Sequence, residues 1–362
     1  MAIKTTNNRK KTQTITISLD EIYNIGCNIL KKMGALDKVA NQVIDDLIIN
    51  EVNGYVSHGL LRLIEYIELV QQGYIVSSAQ PVIHKKYEFF SEIDGQNCFG
   101  VLSSQAVSRT LIDQLIKTRF GFVTLINSGH IGRLKSIALP VCKEGGIIIG
   151  FSNLSGAGQN VLAYGGGEGR LCTNPLVIGV PSKPPIIVDM STSAVSEGKI
   201  RKSWLKGEKV PKGWLFNKNW NSIFDPNKFY QNPKTAFLGP LGGKELGYKG
   251  FGLALMVEIF AGILTGGGFS QPLINKINNN ALFLTFHPTF LGQTLEQFQQ
   301  NVDDLIEYLK TSSINGEIQI PGWNVDSRIE EVDKQQQISI NAQLFEKLHL
   351  LENSLHLYSV KR

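Results

Sequence analysis

The apolar residues change their texture close to Pro81, from helical spacing alone to short β-like runs mixed with helical ones, and that change points to two architectures in one protein. Before it the period is helical. Ser18-Leu-Asp-Glu21 has the form of a capping box ahead of an apolar-periodic run, which predicts a helix over 19–33. Val39, Val43, Leu47 and Ile48 recur at helical spacing and predict a second helix from Asp37 to about Asn53. A third is expected over 59–72, stopped by Gly73. The first 75 residues or so therefore read as all-helical. After Pro81 short β-like runs appear at Glu88–Ile93, Phe122–Ile126, Ile147–Phe151, Leu176–Val180 and Ile186–Val188, with helical patterns at 100–119 and 133–144 between the early ones. That mixture belongs to an α/β or α+β domain. At 362 residues the chain has room for two or three domains.

The rest of the chain is less regular. Residues 205–247 are rich in Gly, Pro, Lys and Trp and read as irregular. An apolar helix near 250–264, a polar loop at Ile274–Asn280, a strand at Ala281–Phe286 and an amphipathic helix at 294–311 follow. A last helix, capped by Ser339, runs to about Glu352. Glycine is in excess, 36 of 362 residues, and gathers in mid-chain, where the backbone has to approach something closely.

Charge and cysteine usage exclude several functions. With 36 Lys+Arg against 31 Asp+Glu the net charge is +5, too weak for a nucleic-acid binder. The one basic run, Arg9-Lys10-Lys11, reads as a solvated tail. Cys27, Cys98, Cys142 and Cys172 form no CxxC pair, so neither a zinc site nor a disulfide framework is expected, and a reducing, cytoplasmic compartment fits better. The first twenty residues hold no apolar core of a secretory signal. Gly250–Phe269 is about as long as a membrane span, but Glu258 near its middle and five glycines favour a buried core helix and no membrane partner.

Three places offer chemistry. His58, Arg62 and Tyr66 stand four residues apart and would share one helix face. A histidine exchanges protons near neutral pH, a guanidinium grips a carboxylate, and a tyrosine orients an oxygen. The same spacing also suits a solvated polar face. His130 lies in the Gly-flanked loop Asn127-Ser-Gly-His130 at a strand's end, a common position for function. Asp189 ends a strand; it could fix the tautomer of a catalytic histidine or cap the following helix. Neither HExxH nor GxSxG occurs, and no metal site is expected. Gly156-Ala-Gly158-Gln-Asn-Val161 follows a strand, but it is G-x-G-x-x-V and runs into Tyr164-Gly-Gly-Gly-Glu, which is no helix. Gly165–Gly167 could cradle an anion or simply turn the chain between strands.

Taken together, several segments resemble the malate/L-lactate dehydrogenase-like oxidoreductases, the group with ureidoglycolate, sulfolactate and diketogulonate enzymes and cyclic-imine reductases. The segments are Ser57-His58-Gly59-Leu-Leu-Arg62 with Tyr66 and Gly73, Asp94-Gly95 with Phe99-Gly100, Asn127-Ser-Gly-His130-Ile-Gly132 and Thr173-Asn174-Pro175. Val188-Asp189-Met190-Ser191-Thr192-Ser193, Gly198-Lys199-Ile200, Pro211-x-Gly213-Trp214, Asp225-Pro226, Tyr248-Lys249-Gly250 and Pro321-Gly322 continue the series. The resemblance implies an α+β fold. A helical domain would be built from both chain ends, residues 1–80 and 320–362. Residues 81–319 would form a non-Rossmann, largely antiparallel domain that binds a nicotinamide cofactor. It also implies a homodimer acting on a small carboxylate substrate, with NAD or NADP as cofactor and NAD preferred.

By matching motif, the resemblance assigns His58 as proton donor or acceptor, Asp189 as its orienting partner and His130 as a second active-site histidine. Arg62 would hold the substrate carboxylate, supported by Ser57 and Tyr66, with Thr173 and Asn174 bordering the site. Val188, Asp189, Met190, Ser191, Thr192, Ser193, Tyr248, Lys249, Pro321 and Gly322 would contact the cofactor. The implied activity is hydride transfer between nicotinamide and a 2-oxo or 2-hydroxy acid. The alternatives are a cyclic 2-imino acid reductase, or a diverged homologue that only binds. Four departures bear on the substrate: Cys172 in place of glycine, Arg133-Leu134-Lys135 in place of small residues, extra residues at 242–247, and Trp323 after Pro-Gly.

Overall fold

The computed structural model describes residues 14–272, 276–314, 318–323 and 336–355; the basic run at 9–11 lies outside them. The chain divides into two compact units, Met1–Glu65 with Ser327–Arg362, and Tyr66–Asp326.

In the first unit β1 (Thr14–Ser18) leads into α1 (Leu19–Lys32) and α2 (Asp37–Val52). Ser18 Oγ accepts the Glu21 N–H at 3.1 Å, so the helix starts where its cap requires. Ile22, Ile29 and Leu30 on α1 and Val39, Val43, Ile44 and Leu47 on α2 are buried, as the spacing predicts. The N-terminal region is not all-helical, however. Thr-Ile-Thr-Ile-Ser alternates with period two, and β1 pairs antiparallel with a strand at Gln337–Asn341. That second strand takes Ser339, and Asn341 caps the last helix (Ala342–Ser354) by accepting the Leu344 N–H. Ile338 and Ile340 explain the difference: their alternation buries them in the strand pair.

The helix α3 (Leu61–Gln71) follows. The second unit is built on a seven-stranded sheet containing β2 (Val82–Tyr87), β3 (Phe90–Asp94), β4 (Phe120–Ser128), β5 (Ile147–Ser155), and the strands Leu176–Val180, Ile186–Met190 and Asn278–Phe286. Only β3 and β4 run parallel; every other neighbouring pair is antiparallel. The fold is thus mixed helix and sheet, with a largely antiparallel main sheet.

The strand 278–286 lies at the centre of this sheet, between β4 and β5. Its first three residues are asparagines, so the expected polar loop ends at Ile277; residues 274 and 275 lie outside the described residues. Alternation sorts the side chains. Ile148, Ala281 and Phe283 face the core with Val107, Leu111 and Leu115 of α4 (Gly100–Thr118) and Ile137 and Val141 of α5 (Lys135–Lys143). Asn153 and Phe151 face the other way, where Phe151 meets Phe260 with ring centroids 5.5 Å apart.

The stretch expected to be irregular holds two-residue strands at Leu215–Phe216, Ser222–Ile223 and Phe237–Leu238. With Val161–Leu162 and Gly169–Leu171 they form a second, five-stranded sheet. Two-residue strands have no period to read, and only their partners define them.

The apolar helix begins at Gly243, earlier than its composition indicates, and its last turns, Glu258–Ile263, are a π-helix. Gly243–Ile263 is long and apolar enough to cross a membrane. The expectation of a buried core helix holds on one face only. Gly247, Gly250, Ala254, Val257, Glu258 and Ala261 are buried, whereas Leu246, Leu253, Leu255, Met256 and Ile263 are exposed.

Candidate active site

In the first unit the chemistry gathers on a turn. His58 precedes α3 and is not on its face: the helix starts at Leu61, and the His58 N–H donates to Tyr55 O at 2.7 Å. The spacing argument therefore covers Arg62 and Tyr66 but not His58. What places His58 is local hydrogen bonding. Ser57 Oγ lies 3.0 Å from His58 Nδ1, and Arg62 Nε donates to Ser57 O at 2.7 Å. Arg62 Nη1 pairs with Glu65 at 2.6 Å, so its guanidinium is braced from two sides.

Glu51 lies under the same turn and accepts the Leu60 N–H at 3.0 Å. Burial pushes its carboxyl up from 4.5 to about 7, opposed by the Leu60 hydrogen bond. A raised carboxyl value favours folding while the group is protonated. That contribution is complete below 4.5 and is lost as the pH rises through about 7. Glu51→Gln should therefore remove part of the fall in stability between pH 5 and 8, on the order of 2 kcal/mol after solvent screening. Urea midpoints of both proteins at the two pH values read it directly.

In the second unit Tyr66 and His130 come together, with Tyr66 Oη 3.4 Å from His130 Nδ1. Tyr66 is buried and its ring lies 5.7 Å from that of Phe99. The backbone of His130 passes so close to Gly100 that a Cβ there would sit 2.1 Å from His130 O, so only glycine fits. Thr173 and Asn174 meet the strand-end segment: Thr192 N donates to Thr173 O at 3.0 Å and Thr192 Oγ1 to Asn174 O at 2.9 Å. Thr192 O in turn accepts the Leu241 N–H, and Gly250 N donates to Leu241 O, which ties in the helix carrying Tyr248 and Lys249. Ser193 Oγ donates to Val195 O and Ser191 Oγ to Ser193 O. Val188 and Met190 flank Asp189 in the edge strand.

Asp189 does not cap a helix of its own. Its Oδ2 accepts the Lys135 N–H at 2.9 Å, at the first residue of α5. Burial raises its carboxyl, opposed by that hydrogen bond and by the charges of Arg133 and Lys135. Lys135 is itself buried and donates from Nζ to Gly322 O at 3.1 Å; Pro321 O accepts the Ile187 N–H. The bulky residues after the His130 loop thus brace Asp189 and the Pro321-Gly322 turn, and Trp323 Nε1 donates to Pro184 O.

The glycine-rich segment forms no dinucleotide fingerprint. A strand, Val161–Leu162, follows Gly156 and Gly158, and Gly165–Gly167 turn the chain between that strand and Gly169–Leu171. Trp220 Nε1 donates to Gly166 O at 2.8 Å, and Tyr164 stands edge-on to Trp220 and Tyr248.

A helical unit from both chain ends and a largely antiparallel sheet, with His130 and Asn174 in loops at strand ends and Asp189 near the end of the edge strand, accord with an oxidoreductase of the hydroxy-acid dehydrogenase class, which the family match shows. The family model for malate/L-lactate dehydrogenase matches residues 17–349, and the chain belongs to that family. It is 31% identical to the malate dehydrogenase of Pyrococcus abyssi over 302 residues, 82% of this chain and 83% of the relative. It is 28% identical to the malate/(S)-sulfolactate dehydrogenase of Methanothermus fervidus over 348 residues, 94% of this chain and 98% of that one. The crystal structure of malate dehydrogenase from Entamoeba histolytica superposes with a TM-score of 0.84 at 27% identity, covering 95% of this chain and 98% of the other.

Proposed function

We propose that the protein is a nicotinamide-dependent oxidoreductase of small 2-oxo or 2-hydroxy acids, with His58 as the proton donor in the reductive direction. The observation that carries this reading is the Ser57–Arg62 turn. In a chain of a hydroxy-acid dehydrogenase family, it holds an imidazole at Nδ1 and a guanidinium four residues later. Arg62 takes the substrate carboxylate as a two-pronged donor, sharing it with Glu65. The Tyr66 hydroxyl, 3.4 Å from Nδ1, orients His130 for the substrate oxygen.

The side chains present suit a dinucleotide. Arg133 sets positive charge beside Asp189 near the end of the edge strand, a charge that an anionic pyrophosphate requires. Tyr164 and Tyr248 are exposed and stand edge-on to each other, offering aromatic surface to a flat base. Val188 to Ser193, Tyr248, Lys249, Pro321 and Gly322 would hold the cofactor, NAD in preference to NADP. When bound, the nicotinamide supplies the hydride, and the protein supplies orientation and charge. Malate, lactate and sulfolactate all fit a single guanidinium grip; malate heads the order because the relatives at 30–31% identity bear that name. Assembly as a homodimer in the cytoplasm belongs to the same reading, and light scattering measures the mass.

Titrating NADH and NADPH by nicotinamide fluorescence tests the cofactor assignment; failure of both to bind would remove the reading. For the substrate grip, Arg62→Lys should raise KM for the carboxylate substrate about tenfold to a hundredfold with a smaller change in kcat, since lysine loses one of two charge-assisted hydrogen bonds.

A further inference from the structure

We infer that Glu258 and Asn279 are positioning residues, joined by one buried hydrogen-bond network that holds the His130 loop and the Asn174 loop in register with each other. Neither residue belongs to the site outlined above, although the inference rests on that site's assignment to His130 and Asn174.

Glu258 is 4% exposed and is the one charge in the run 250–264, at the first residue of the π-helical turns. A buried carboxylate there needs donors, and it has four. Asn174 Nδ2 donates to Oε1 at 2.9 Å, and Ser270 Oγ donates to the same oxygen. Asn153 Nδ2 donates to Oε2 at 2.7 Å and Ser270 N at 3.1 Å. π-helical turns of this kind occur often at functional sites.

The network leads from Glu258 in two directions. In one, it reaches Asn174. The backbone of Asn174 is left-handed, with φ of 41°, and its side chain is fully buried. Its Nδ2 donates both to Glu258 and to Ala254 O at 3.1 Å, while Oδ1 has no hydrogen-bond partner among the described residues. Turning the amide over would satisfy nothing, because Oδ1 would then face a carboxylate. Glu258 thus dictates which way Asn174 points, at the cost of an orphaned acceptor.

In the other direction it reaches His130. Asn153 Oδ1 accepts from Asn280 Nδ2 at 3.1 Å, and Asn153 O accepts from Asn279 Nδ2 at 3.0 Å. Asn279 Oδ1 then accepts the N–H of Ile131, the residue after His130, at 3.0 Å. Asn280 Oδ1 receives the Asn127 N–H from the start of the same loop at 3.4 Å, and Asn127 is also left-handed, with φ of 51°. Two strained loops are therefore pinned from one set of amides. Glycines make room for it: a Cβ at Gly262 would lie 2.5 Å from Asn153 Nδ2, and one at Gly267 would lie 2.2 Å from the Asn280 side chain.

A carboxylate is required for this arrangement. Glutamine at 258 would turn its NH2 end towards the Asn174 amide NH2 on one side, or towards the Asn153 NH2 and the Ser270 N–H on the other, so a donor meets a donor either way. Asn279→Ala removes the clamp on Ile131 and leaves the Glu258 cluster intact. The test uses 15N-histidine-labelled full-length chain, in which six histidines give a sparse ring spectrum and His130→Asn assigns the His130 signals. Both Glu258→Gln and Asn279→Ala should shift the His130 ring signals, Asn279→Ala with an unfolding midpoint close to that of the parent. With a substrate in hand, each should lower kcat about tenfold or more and move KM less. His130 signals that coincide with the parent's in Asn279→Ala, and in Glu258→Gln where it folds, would overturn the inference. The spectrum needs neither cofactor nor substrate, so a failed dehydrogenase assignment leaves this test standing.

Discussion

His58→Ala is expected to lower kcat by about 10²–10⁴-fold while reduced cofactor binds within about twofold of the parent. The imidazole is the one group on the Ser57–Arg62 turn that can deliver a proton near neutral pH. Its ring is set by Ser57 Oγ at Nδ1 and its backbone by Tyr55 O, so the alanine variant loses the proton without dismantling the turn. Arg62 keeps its bonds to Ser57 O and Glu65 in that variant, so KM should move less than kcat. Pre-steady-state turnover together with fluorescence titration separates the two effects. Loss of cofactor binding in proportion to turnover would instead make His58 a structural residue.

Phe283→Ala should cost about 3–5 kcal/mol of stability, the largest single effect expected in the core. Phe283 is fully buried in the central strand, paired opposite Gly150 of β5. Its ring packs against that glycine, where a Cβ at position 150 would come within 2.2 Å of it. Alanine leaves a ring-sized cavity next to Gly150, among Val123, Ile148 and Val177. Neighbours in a sheet strand are held by their ladders and collapse little, which favours the upper part of the range. Chemical unfolding of the variant measures it; a loss under about 1 kcal/mol would mean that the centre of the sheet is loosely packed.

The long helices and the strands flanking the central one were legible because each buries one stripe or one face, and burial leaves a period. The paired strands at 14–18 and 337–341 carry the same signal in five residues each, so a helical expectation overruled it in the first and a cap residue was read into the second. The second sheet left no signal, since strands of two residues exist only through their partners. Asn278-Asn-Asn280 is the instructive case. Composition reads three asparagines as a loop, whereas the fold buries Asn278 and Asn280 in its central strand and satisfies their amides from Asn97, Asn153 and Ser155.

For the candidate site, the ordered motifs nominate His58, Arg62, His130 and Asp189 but say nothing of what holds them. Glu258 was visible as a lone charge inside Gly250–Phe269 and counted only as an argument against a membrane span. A charge in an apolar helix that packs on a sheet must also find donors, and that second requirement was the available signal.

The central claim is hydride transfer between nicotinamide and a 2-oxo acid. Its most direct measurement is the loss of nicotinamide absorbance on mixing the full-length protein with NADH or NADPH and each of oxaloacetate, pyruvate, sulfopyruvate and a cyclic 2-imino acid. The account predicts multiple-turnover oxidation of at least one reduced cofactor with one of these acids, fastest for the open-chain 2-oxo acids and abolished by His58→Ala. Absence of turnover with all of them, in protein that binds the reduced cofactor, would contradict it and leave a homologue that only binds.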